Sequence, residues 1–498
     1  MSRRRLPALA LLAAVLAMAL GLLPARPALA AAKPNLVVIM LDDLDAATIA
    51  YMPATMQQIA AQGVSFDRSY VTDPLCFPSR AAFFSGRYPH STGQRKGGYY
   101  SFIKRVDERN TLGPWLQAAG YYTAFAGKYI NNYPSARPDT YVPPGWNRWA
   151  AALYEKFYKQ YDYTMNEDGK LVTYGTAATD YFGDVVTRKS LAFIDDAHAR
   201  GKPLALIVAP SAPHVPLVAA PRDRSTFGGA TAPRSAAFPE ADTRDKPPFN
   251  RFSPITGTAL GNLDLQYRGR LRMLGAADDL VAAIVAALQQ RGMLDNTYIL
   301  VTSDNGYHMG QHNLAPNKET PYEEDIRVPL LVRGPGVPRN AHLQHLISHL
   351  DVAPTLVALG GGTAPAAAEG RSFASLLTAS PPSPTGWRQA ILITRLPAGT
   401  LPPPPPKPPV TAAYNCVPNA TPSAVLPEYW AVRTNRYTYT EYANGDRELY
   451  DDQADPLQLV NLYCAATAEL KASLSAAIAR LRACSGATCR TAENVAVP

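Results

Sequence analysis

The sequence contains few cysteines, and their distribution is uneven. Only five occur in 498 residues, and Cys76 is separated by about 340 positions from the other four, which lie near the C-terminus. Those four allow three pairings, which fits an oxidising compartment. We favour Cys484–Cys489, because only four residues separate them, together with Cys416–Cys464. Cys76 is then left over, as an intermolecular bridge, a reactive group or a small buried hydrophobe.

Long apolar runs are absent beyond the first 30 residues, so no later segment is predicted to cross a membrane. Residues 1–30 combine a basic start, an apolar stretch and Ala28-Leu29-Ala30, which is typical of a cleaved signal peptide. An uncleaved anchor is the alternative, and Ser2-Arg3-Arg4 leaves Sec and twin-arginine export both open. We expect secretion or export to the cell envelope, without stable membrane insertion after cleavage.

A strong charge of one sign is also missing from the mature chain. The formal net charge is +8, and residues 1–30 hold four arginines and no acid, so cleavage leaves +4. A chain with so modest a charge has no electrostatic footprint for nucleic acid. We therefore expect no nucleic-acid partner.

Several short apolar runs, separated by helical patterns, predict buried strands of a parallel sheet. Alternating strands and helices indicate an α/β fold, with a large, mixed, mainly parallel sheet flanked by helices. Helices are predicted over 177–199 and 278–291, and 219–260 reads as an irregular surface excursion. The predicted strands are Asn35–Leu41, Tyr122–Ala126, Leu204–Ala209, Tyr298–Thr302 and Pro329–Val332.

Composition divides the mature chain into three parts. Residues 33–380 form the large domain, and the proline-rich segment 381–409 predicts a stiff linker. Residues 410–498 show alternating β-like patterns followed by an amphipathic helix, which predicts a small α+β C-terminal domain.

Polar side chains follow the predicted strands at the points where they end. Asp42 and Asp43 follow the first, Lys128 the second, His214 the third, and Asp304-Asn305 the fourth. Open α/β sheets bind ligands at the carboxyl ends of their strands, so we expect these residues to converge. Singly, the acids could be helix caps or turn residues. Together they offer hard oxygen ligands, which suit Ca²⁺ or Mg²⁺.

A second set of residues is cationic. Arg80, Lys128, His214 and Lys318 could bind a tetrahedral oxyanion beside such a cation. Cys76 precedes Pro78, and proline is favoured in the first turn of a helix, so Cys76 is predicted at a helix N-terminus. Soft sulfur suits a hard-cation site poorly, whereas a chemically altered, oxygen-bearing side chain would fit.

Cys76-Phe77-Pro78-Ser79-Arg80, followed by Ser85-Gly86-Arg87, resembles the type I sulfatase signature Cys-x-Pro-Ser-Arg. In that family the motif directs oxidation of the cysteine to formylglycine (3-oxoalanine). The resemblance covers essentially the whole mature chain and is greatest to the N-acetylglucosamine-6-sulfatase and arylsulfatase branch. It implies an alkaline-phosphatase-like fold, with 33–380 as the catalytic domain, and a formylglycine-generating enzyme as maturation partner.

The resemblance also implies a mechanism for a sulfate ester substrate. One hydroxyl of hydrated formylglycine at position 76 attacks sulfur and expels the alcohol or phenol; the other hydroxyl then loses its proton, which regenerates the aldehyde and releases sulfate. One Ca²⁺ is expected on Asp42, Asp43, Asp304 and Asn305 together with residue 76. Arg80 would orient residue 76, and Lys128, His214 and Lys318 would hold the sulfate, with Lys318 or His214 as leaving-group acid.

One departure from the family pattern concerns the base. Many sulfatases carry a histidine two residues after the strand-end lysine, whereas this chain has Ile130. His90 and His308 are the replacements to test, His308 also as a substrate-binding residue, although each could be a structural hydrogen-bonding group.

Two other functions remain open from sequence. A site for one tetrahedral oxyanion can hold another, so a phosphate or phosphonate ester hydrolase is one alternative. A catalytically silent sulfated-glycan binding protein is the other, if Cys76 stays unmodified. Substrate choice is also open, because a tyrosine-rich set could stack on sugar rings or simply pack the domain: Tyr99, Tyr100, Tyr154, Tyr158, Tyr161 and Tyr163.

Overall fold

The fold is known from a computed structural model, which describes residues 33–94, 97–250, 252–396 and 425–497. The predicted signal peptide therefore lies outside the described residues. The strands are β1 (Asn35–Leu41), β2 (Val64–Phe66), β3 (Ser69–Tyr70), β4 (Tyr122–Gly127), β5 (Arg148–Ala152), β6 (Tyr163–Glu167), β7 (Lys170–Tyr174), β8 (Leu204–Ala209), β9 (Thr297–Ser303), β10 (Leu330–Arg333), β11 (Ala341–Leu343), β12 (Ile347–Ser348), β13 (Ala390–Arg395), β14 (Tyr429–Thr434), β15 (Tyr437–Tyr442) and β16 (Arg447–Asp451).

The α-helices of the described residues vary from single turns to a helix of 34 residues. They are α1 (Pro53–Thr55), α2 (Cys76–Ser85), α3 (Pro89–Thr92), α4 (Tyr99–Arg105), α5 (Leu112–Ala118), α6 (Phe182–Ala199), α7 (Gly257–Gln290), α8 (Glu323–Ile326), α9 (Val352–Leu359), α10 (Ala468–Ala483) and α11 (Ala487–Ala492). None of the helices in the described residues is long and apolar enough to span a membrane.

Ten strands form one sheet in the order β11-β2-β10-β9-β1-β8-β4-β5-β6-β7. Its centre, from β9 to β5, is parallel, whereas β10 and β6 run antiparallel to their inner neighbours. The prediction of a mixed, mainly parallel sheet is confirmed, and all five predicted strands exist within one or two residues of their expected ends.

The sheet has a hydrophobic layer on each face. Along β1, Val37, Ile39 and Leu41 pack in one layer while Leu36, Val38 and Met40 pack in the other. Successive side chains of a strand point to opposite faces, so a strand covered on both sides is continuously apolar. Helices α6 and α7 cover the first face, and α2, α5 and α9 cover the second.

The long helix α7 begins earlier than its sequence pattern predicted. It starts at Gly257, inside the segment 219–260 that was expected to be irregular. The described residues between 219 and 256 contain 3-10 turns at Pro221–Asp223 and Pro248–Asn250. Leu263, Tyr267 and Leu274 are buried at helical spacing, so the amphipathic face continues well before residue 278.

The C-terminal part contains an antiparallel sheet, β13-β14-β15-β16, packed against α10. Its first strand, β13, lies inside the segment predicted as a linker, so residues 390–395 belong to this sheet. Residues 381–389, which contain a 3-10 turn at Pro384–Gly386, precede this strand, and residues 397–409 of the predicted linker lie outside the described residues. The Cys484–Cys489 disulfide is present, and the second pairing rests on Cys416, which also lies outside them.

Candidate active site

Two acidic pairs meet at the carboxyl ends of neighbouring strands β1 and β9. Asp42 and Asp43 follow β1, and Asp304 and Asn305 follow β9. The Asp43 backbone N donates to Asp304 Oδ1 at 3.2 Å, and Asn305 Nδ2 donates to Asp43 Oδ1 at 2.8 Å. Asp43 has a φ of 67°, a left-handed conformation that aspartate tolerates better than most residues. The turn after β1 thus holds both carboxylates at the sheet edge.

The oxygen atoms of this cluster suit a hard cation. Asp42 Oδ1 and Asn305 Oδ1 are buried and have no hydrogen-bond partner. Ligand atoms of Asp42, Asp43, Cys76 and His214 all lie within 4.8 Å of one another. Buried oxygens without partners are costly, and a bound cation would compensate them. Carboxylate and amide oxygens are the ligands that Ca²⁺ takes in proteins.

Two buried cations face the acids from the other side. Lys128, at the end of β4, donates from Nζ to Asp42 Oδ2 at 2.7 Å and lies 3.7 Å from Asp304 Oδ2. Arg80 Nε donates to Asp304 Oδ2 at 2.7 Å, and its Nη1 donates to the Lys128 carbonyl oxygen at 2.7 Å. Arg80 therefore braces the acids and the end of β4, because its side-chain hydrogen bonds within the described residues go to Asp304 and to the carbonyl oxygens of Lys128 and Tyr129 rather than to residue 76.

The acids of the cluster differ in the direction in which their pKa is shifted. Burial, and then Asp304, raise the pKa of Asp42 despite the nearby Lys128. Burial also opposes ionisation of Asp43, but Lys318 and His214 outweigh it and hold its pKa below the usual value. Burial likewise opposes ionisation of Asp304, while Arg80 and Lys128 keep its pKa well below that of an ordinary carboxyl.

Cys76 and Lys318 are in direct contact at the centre of the cluster. Cys76 is the first residue of α2, as predicted, and Lys318 Nζ lies 2.7 Å from its Sγ and also donates to Asp43 Oδ1. Burial raises the pKa of the Cys76 thiol to about 12 despite two neighbouring lysines. The thiol is therefore protonated at neutral pH, and the thiolate is the form that acts as a nucleophile.

His214 completes the cluster from the loop after β8. Its Nε2 lies 3.8 Å from Asp43 Oδ2, and its ring stacks on Tyr158 at a centroid distance of 4.2 Å. The Tyr158 ring also lies 5.2 Å from Lys128 Nζ. His214 Nδ1 bonds the Val215 carbonyl oxygen, which can only accept, so Nδ1 donates this hydrogen bond and Nε2 is the ring nitrogen that faces Asp43.

The remaining residues of interest lie elsewhere. His308 is buried next to the Lys318 loop, with Nδ1 on Asp325 at 2.9 Å and Nε2 on the Ala315 carbonyl oxygen at 2.9 Å. His90 bonds the Cys484 carbonyl oxygen at 3.1 Å, against the C-terminal part. Ile130 lies in the hydrophobic layer. His90 and Ile130 therefore lie away from the cluster. His308 is linked to it indirectly, because its backbone pairs with Asn317, next to Lys318.

The tyrosine-rich set does not form one surface. Tyr99, Tyr158 and Tyr163 are buried, whereas Tyr100 and Tyr154 are exposed. Tyr99 donates to Glu108 and Tyr163 to a backbone carbonyl, so both pack the domain rather than face the site.

Sequence reasoning missed residues that support the site from behind. His349 Nδ1 lies 3.1 Å from Ser79 Oγ, one residue from Arg80, and burial lowers its pKa to about 4. Arg270, within α7, donates to the backbone carbonyl oxygen of Asp43. A buried arginine on the apolar face of a helix was the available signal for Arg270, whereas His349 had no comparable signal.

A buried cysteine at a helix start, a cluster of carboxylate and amide oxygens, and the side chains of Arg80, Lys128, Lys318 and His214 meet at one sheet edge, and such groups suit hydrolysis of esters of a tetrahedral oxyanion. Comparison with known proteins narrows this class. Residues 34–362 match the family model described as Sulfatase. The chain is 35% identical over 480 residues to N-acetylglucosamine-6-sulfatase of Capra hircus, covering 92% of this chain and 85% of that protein. The chain therefore belongs to the sulfatase family, whose enzymes are sulfuric ester hydrolases.

Other relatives are longer. A Sulf-1 homolog of Caenorhabditis elegans, named as an extracellular sulfatase, is 37% identical over 383 residues. That match covers 72% of this chain but only 52% of the relative, so the chain spans about half of its length.

Solved structures confirm the fold. The structure of BT4656 in complex with its substrate D-glucosamine-2-N,6-O-disulfate superposes with a TM-score of 0.73 at 22% identity, covering 90% of this chain and 97% of that one. A phosphonate monoester hydrolase from Silicibacter pomeroyi gives a TM-score of 0.65 at 21% identity, covering 89% and 93%. The same fold thus carries more than one ester chemistry.

Proposed function

We propose that this protein removes sulfate from a sulfated sugar of the N-acetylglucosamine 6-sulfate type, or from an aryl sulfate. The nucleophile would be the hydrated formylglycine made from Cys76, beside one Ca²⁺. The observation that carries this proposal is the position of Cys76, at the start of α2, within 4.8 Å of ligand atoms of Asp42, Asp43 and His214. Membership of the sulfatase family and the Cys76–Arg80 motif support it.

The described residues suit both Ca²⁺ and formylglycine. Asp42, Asp43, Asp304 and Asn305 would hold Ca²⁺, because two of their oxygens are buried without partners. Formylglycine would supply a nucleophilic hydroxyl where the thiol is held protonated, and Ca²⁺ would supply positive charge against sulfate oxygens.

The cations of the chain would bind and orient the ester. Lys318 Nζ touches Cys76 Sγ, so it would face the oxygen that replaces this sulfur and the sulfate held beside it. Lys128 and His214 flank the same space around Tyr158. Donors fixed before reaction stabilise charge that develops on the sulfate oxygens.

Proton transfer falls to the same groups. Lys318, whose pKa is raised well above its usual value because Asp43 and neighbouring acids outweigh burial, is fully charged and would protonate the leaving oxygen. His214 Nε2, the ring nitrogen that faces Asp43, would accept the proton of residue 76. His308 would act indirectly, because both of its ring nitrogens have other partners.

Export and maturation follow from the same proposal. A cleaved signal peptide at residues 1–30 would direct the protein out of the cytoplasm. This location would agree with the names of two relatives, which are called extracellular sulfatases. A formylglycine-generating enzyme would convert Cys76.

Three measurements test the proposal. Peptide mass spectrometry across residue 76 of protein from its native host should show an aldehyde in place of the thiol; an unmodified thiol would favour the silent glycan-binding alternative. Kinetics on sulfate, phosphate and phosphonate esters of one phenol should show sulfate preferred. A preference for a phosphate or phosphonate ester would refute the proposed hydrolysis of sulfate esters. Cys76→Ala should abolish turnover and leave the thermal unfolding midpoint nearly unchanged.

A further inference from the structure

Tyr158 lies among the side chains of the site, yet its hydroxyl has no part in the proton transfers proposed for Lys318 and His214. Its ring stacks on the His214 ring at a centroid distance of 4.2 Å, and Lys128 Nζ lies 5.2 Å from the centre of the same ring. The Tyr158 side chain is 7% exposed, and its hydroxyl oxygen is buried without a hydrogen-bond partner among the described residues. Buried hydroxyls are normally bonded, so this one points to a ligand as its partner.

The charged groups that act on this hydroxyl are those at the centre of the site. Burial raises the pKa of Tyr158 well above its usual value, and Asp42 and Cys76 add to this effect, whereas Lys318 and Arg80 oppose it. The phenol therefore keeps its proton at neutral pH and acts as a hydrogen-bond donor. A donor is strongest towards an ionised acceptor, so a bound anion is the partner that suits this hydroxyl.

The turn that carries Tyr158 is held at the carboxyl edge of the sheet. It follows β5, which pairs in parallel with β4, the strand that ends beside Lys128. Gln160 Nε2 donates to Ser211 Oγ at 2.8 Å, and the Ser211 carbonyl oxygen accepts from the His214 backbone N at 2.9 Å. The Tyr158 turn and the His214 loop are therefore joined, and the hydroxyl is positioned before any substrate binds.

Other buried tyrosines near this edge have hydroxyls that are already used. The Tyr99 hydroxyl donates to Glu108 Oε1 at 2.8 Å, and the Tyr163 hydroxyl donates to the Asp180 carbonyl oxygen at 2.9 Å. Those two hydroxyls stabilise the fold, because each satisfies an acceptor of the chain. The Tyr158 hydroxyl, in contrast, contributes no such bond within the described residues.

We propose that Tyr158 is a further catalytic residue, whose hydroxyl donates a hydrogen bond to a non-bridging oxygen of the sulfate group. This inference rests on the proposed sulfatase function and adds a neutral donor to its cations. Because Lys128 and His214 border the Tyr158 ring, a sulfate held by these two side chains lies next to Tyr158. The sulfate group is common to all sulfate esters, so the contribution of this hydroxyl does not depend on the alcohol that leaves.

Tyr158→Phe tests the proposal, because it removes the hydroxyl and keeps the stacked ring. On the converted enzyme, we expect kcat/KM for 4-nitrophenyl sulfate to fall at least about tenfold. The dissociation constant of inorganic sulfate, measured by calorimetric titration, should rise at least about tenfold. The unfolding midpoint of the free protein should stay the same or rise, because the substitution removes a buried hydroxyl without a partner. A smaller change in kcat/KM or in sulfate affinity, or a lower midpoint, overturns the proposal.

Two further comparisons separate a bond to sulfate from other roles of the hydroxyl. Phenyl sulfate, with a poorer leaving group, should lose the same factor in kcat/KM as 4-nitrophenyl sulfate; a larger loss would place the hydroxyl at the leaving oxygen. Ca²⁺ affinity in calorimetric titration should be the same in wild type and Tyr158→Phe; weaker binding would place the hydroxyl at the cation. Either of these results overturns the proposal.

Tyr163→Phe is the matched control, because it removes a hydroxyl that bonds only the backbone. It should leave kcat/KM and sulfate affinity unchanged, and a loss equal to that of Tyr158→Phe would show that the proposal is wrong. Failure of the converted wild type to hydrolyse any sulfate ester would refute the proposed function. The titration with inorganic sulfate needs no turnover, so it would then still decide whether Tyr158 binds the anion.

Discussion

The buried guanidinium of Arg388 provides the sharpest stability prediction. It is fully buried and donates through Nη1 and Nη2 to both oxygens of Asp351, while its Nε donates to Glu493 Oε2 at 2.8 Å. Tyr88, just beyond the Cys76 helix, donates to the other oxygen of Glu493 at 2.6 Å. One side chain therefore joins the start of β13, the loop before α9 and the segment after α11.

Arg388→Leu leaves two buried carboxylates without their main counter-charge. Breaking a buried ion pair by removing one partner costs about 3–5 kcal/mol of unfolding free energy. Unfolding entropy of about 2 cal/mol/K per residue gives roughly 1 kcal/mol per degree for a cooperative unit of about this size. We therefore expect the unfolding midpoint to fall by about 3–5 °C in scanning calorimetry, with a lower urea midpoint.

The penalty should depend on pH in a defined direction. Burial raises the pKa of Glu493 and Arg388 opposes that rise, so Arg388→Leu raises it further. A carboxyl whose folded pKa exceeds its unfolded pKa favours the folded state at low pH, and that contribution is lost as pH rises. The difference between variant and wild type should therefore be smaller at pH 5 than at pH 8.

Arg109→Leu is the control, because Arg109 forms an exposed pair with Asp107. Surface pairs contribute little, so its midpoint should match wild type. Equal midpoints for the two variants, or a penalty at Arg388 that grows on acidification, would refute the assigned role of the buried pairs.

Three further predictions concern the site. Lys318→Met should lower kcat for an aryl sulfate about 100–1000-fold with folding retained, as for loss of an oxyanion donor; a decrease below tenfold would exclude Lys318 from the chemistry. Asn305→Leu should weaken Ca²⁺ binding at least about tenfold in calorimetric titration, and unchanged affinity would remove Asn305 from the ligand set. His349 has a folded pKa of about 4, so its contribution is present above about pH 6.5 and is lost on acidification. His349→Asn should flatten the fall in unfolding free energy between pH 6.5 and 4 by up to about 3 kcal/mol.

Much of the fold could be predicted from local patterns. The apolar runs of β1 and β8 have their predicted bounds, because a strand covered on both faces must be apolar throughout. The start of α7 and the assignment of β13 were missed. Gly257 begins α7 next to a proline-rich segment, and β13 follows several prolines. The local composition therefore predicted irregular structure, although both elements are buried by residues distant in the sequence.

The sequence by itself determined the residues that carry the chemistry: the Cys76–Arg80 motif and the acids placed directly after β1 and β9. Those features are local, because a strand end and a helix start are set by neighbouring residues. The tertiary structure decided which atoms meet. It placed Lys318 against Cys76 and stacked His214 on Tyr158. These contacts depend on packing between segments that are distant in the sequence, where burial and distance, rather than spacing along the chain, set contacts and protonation.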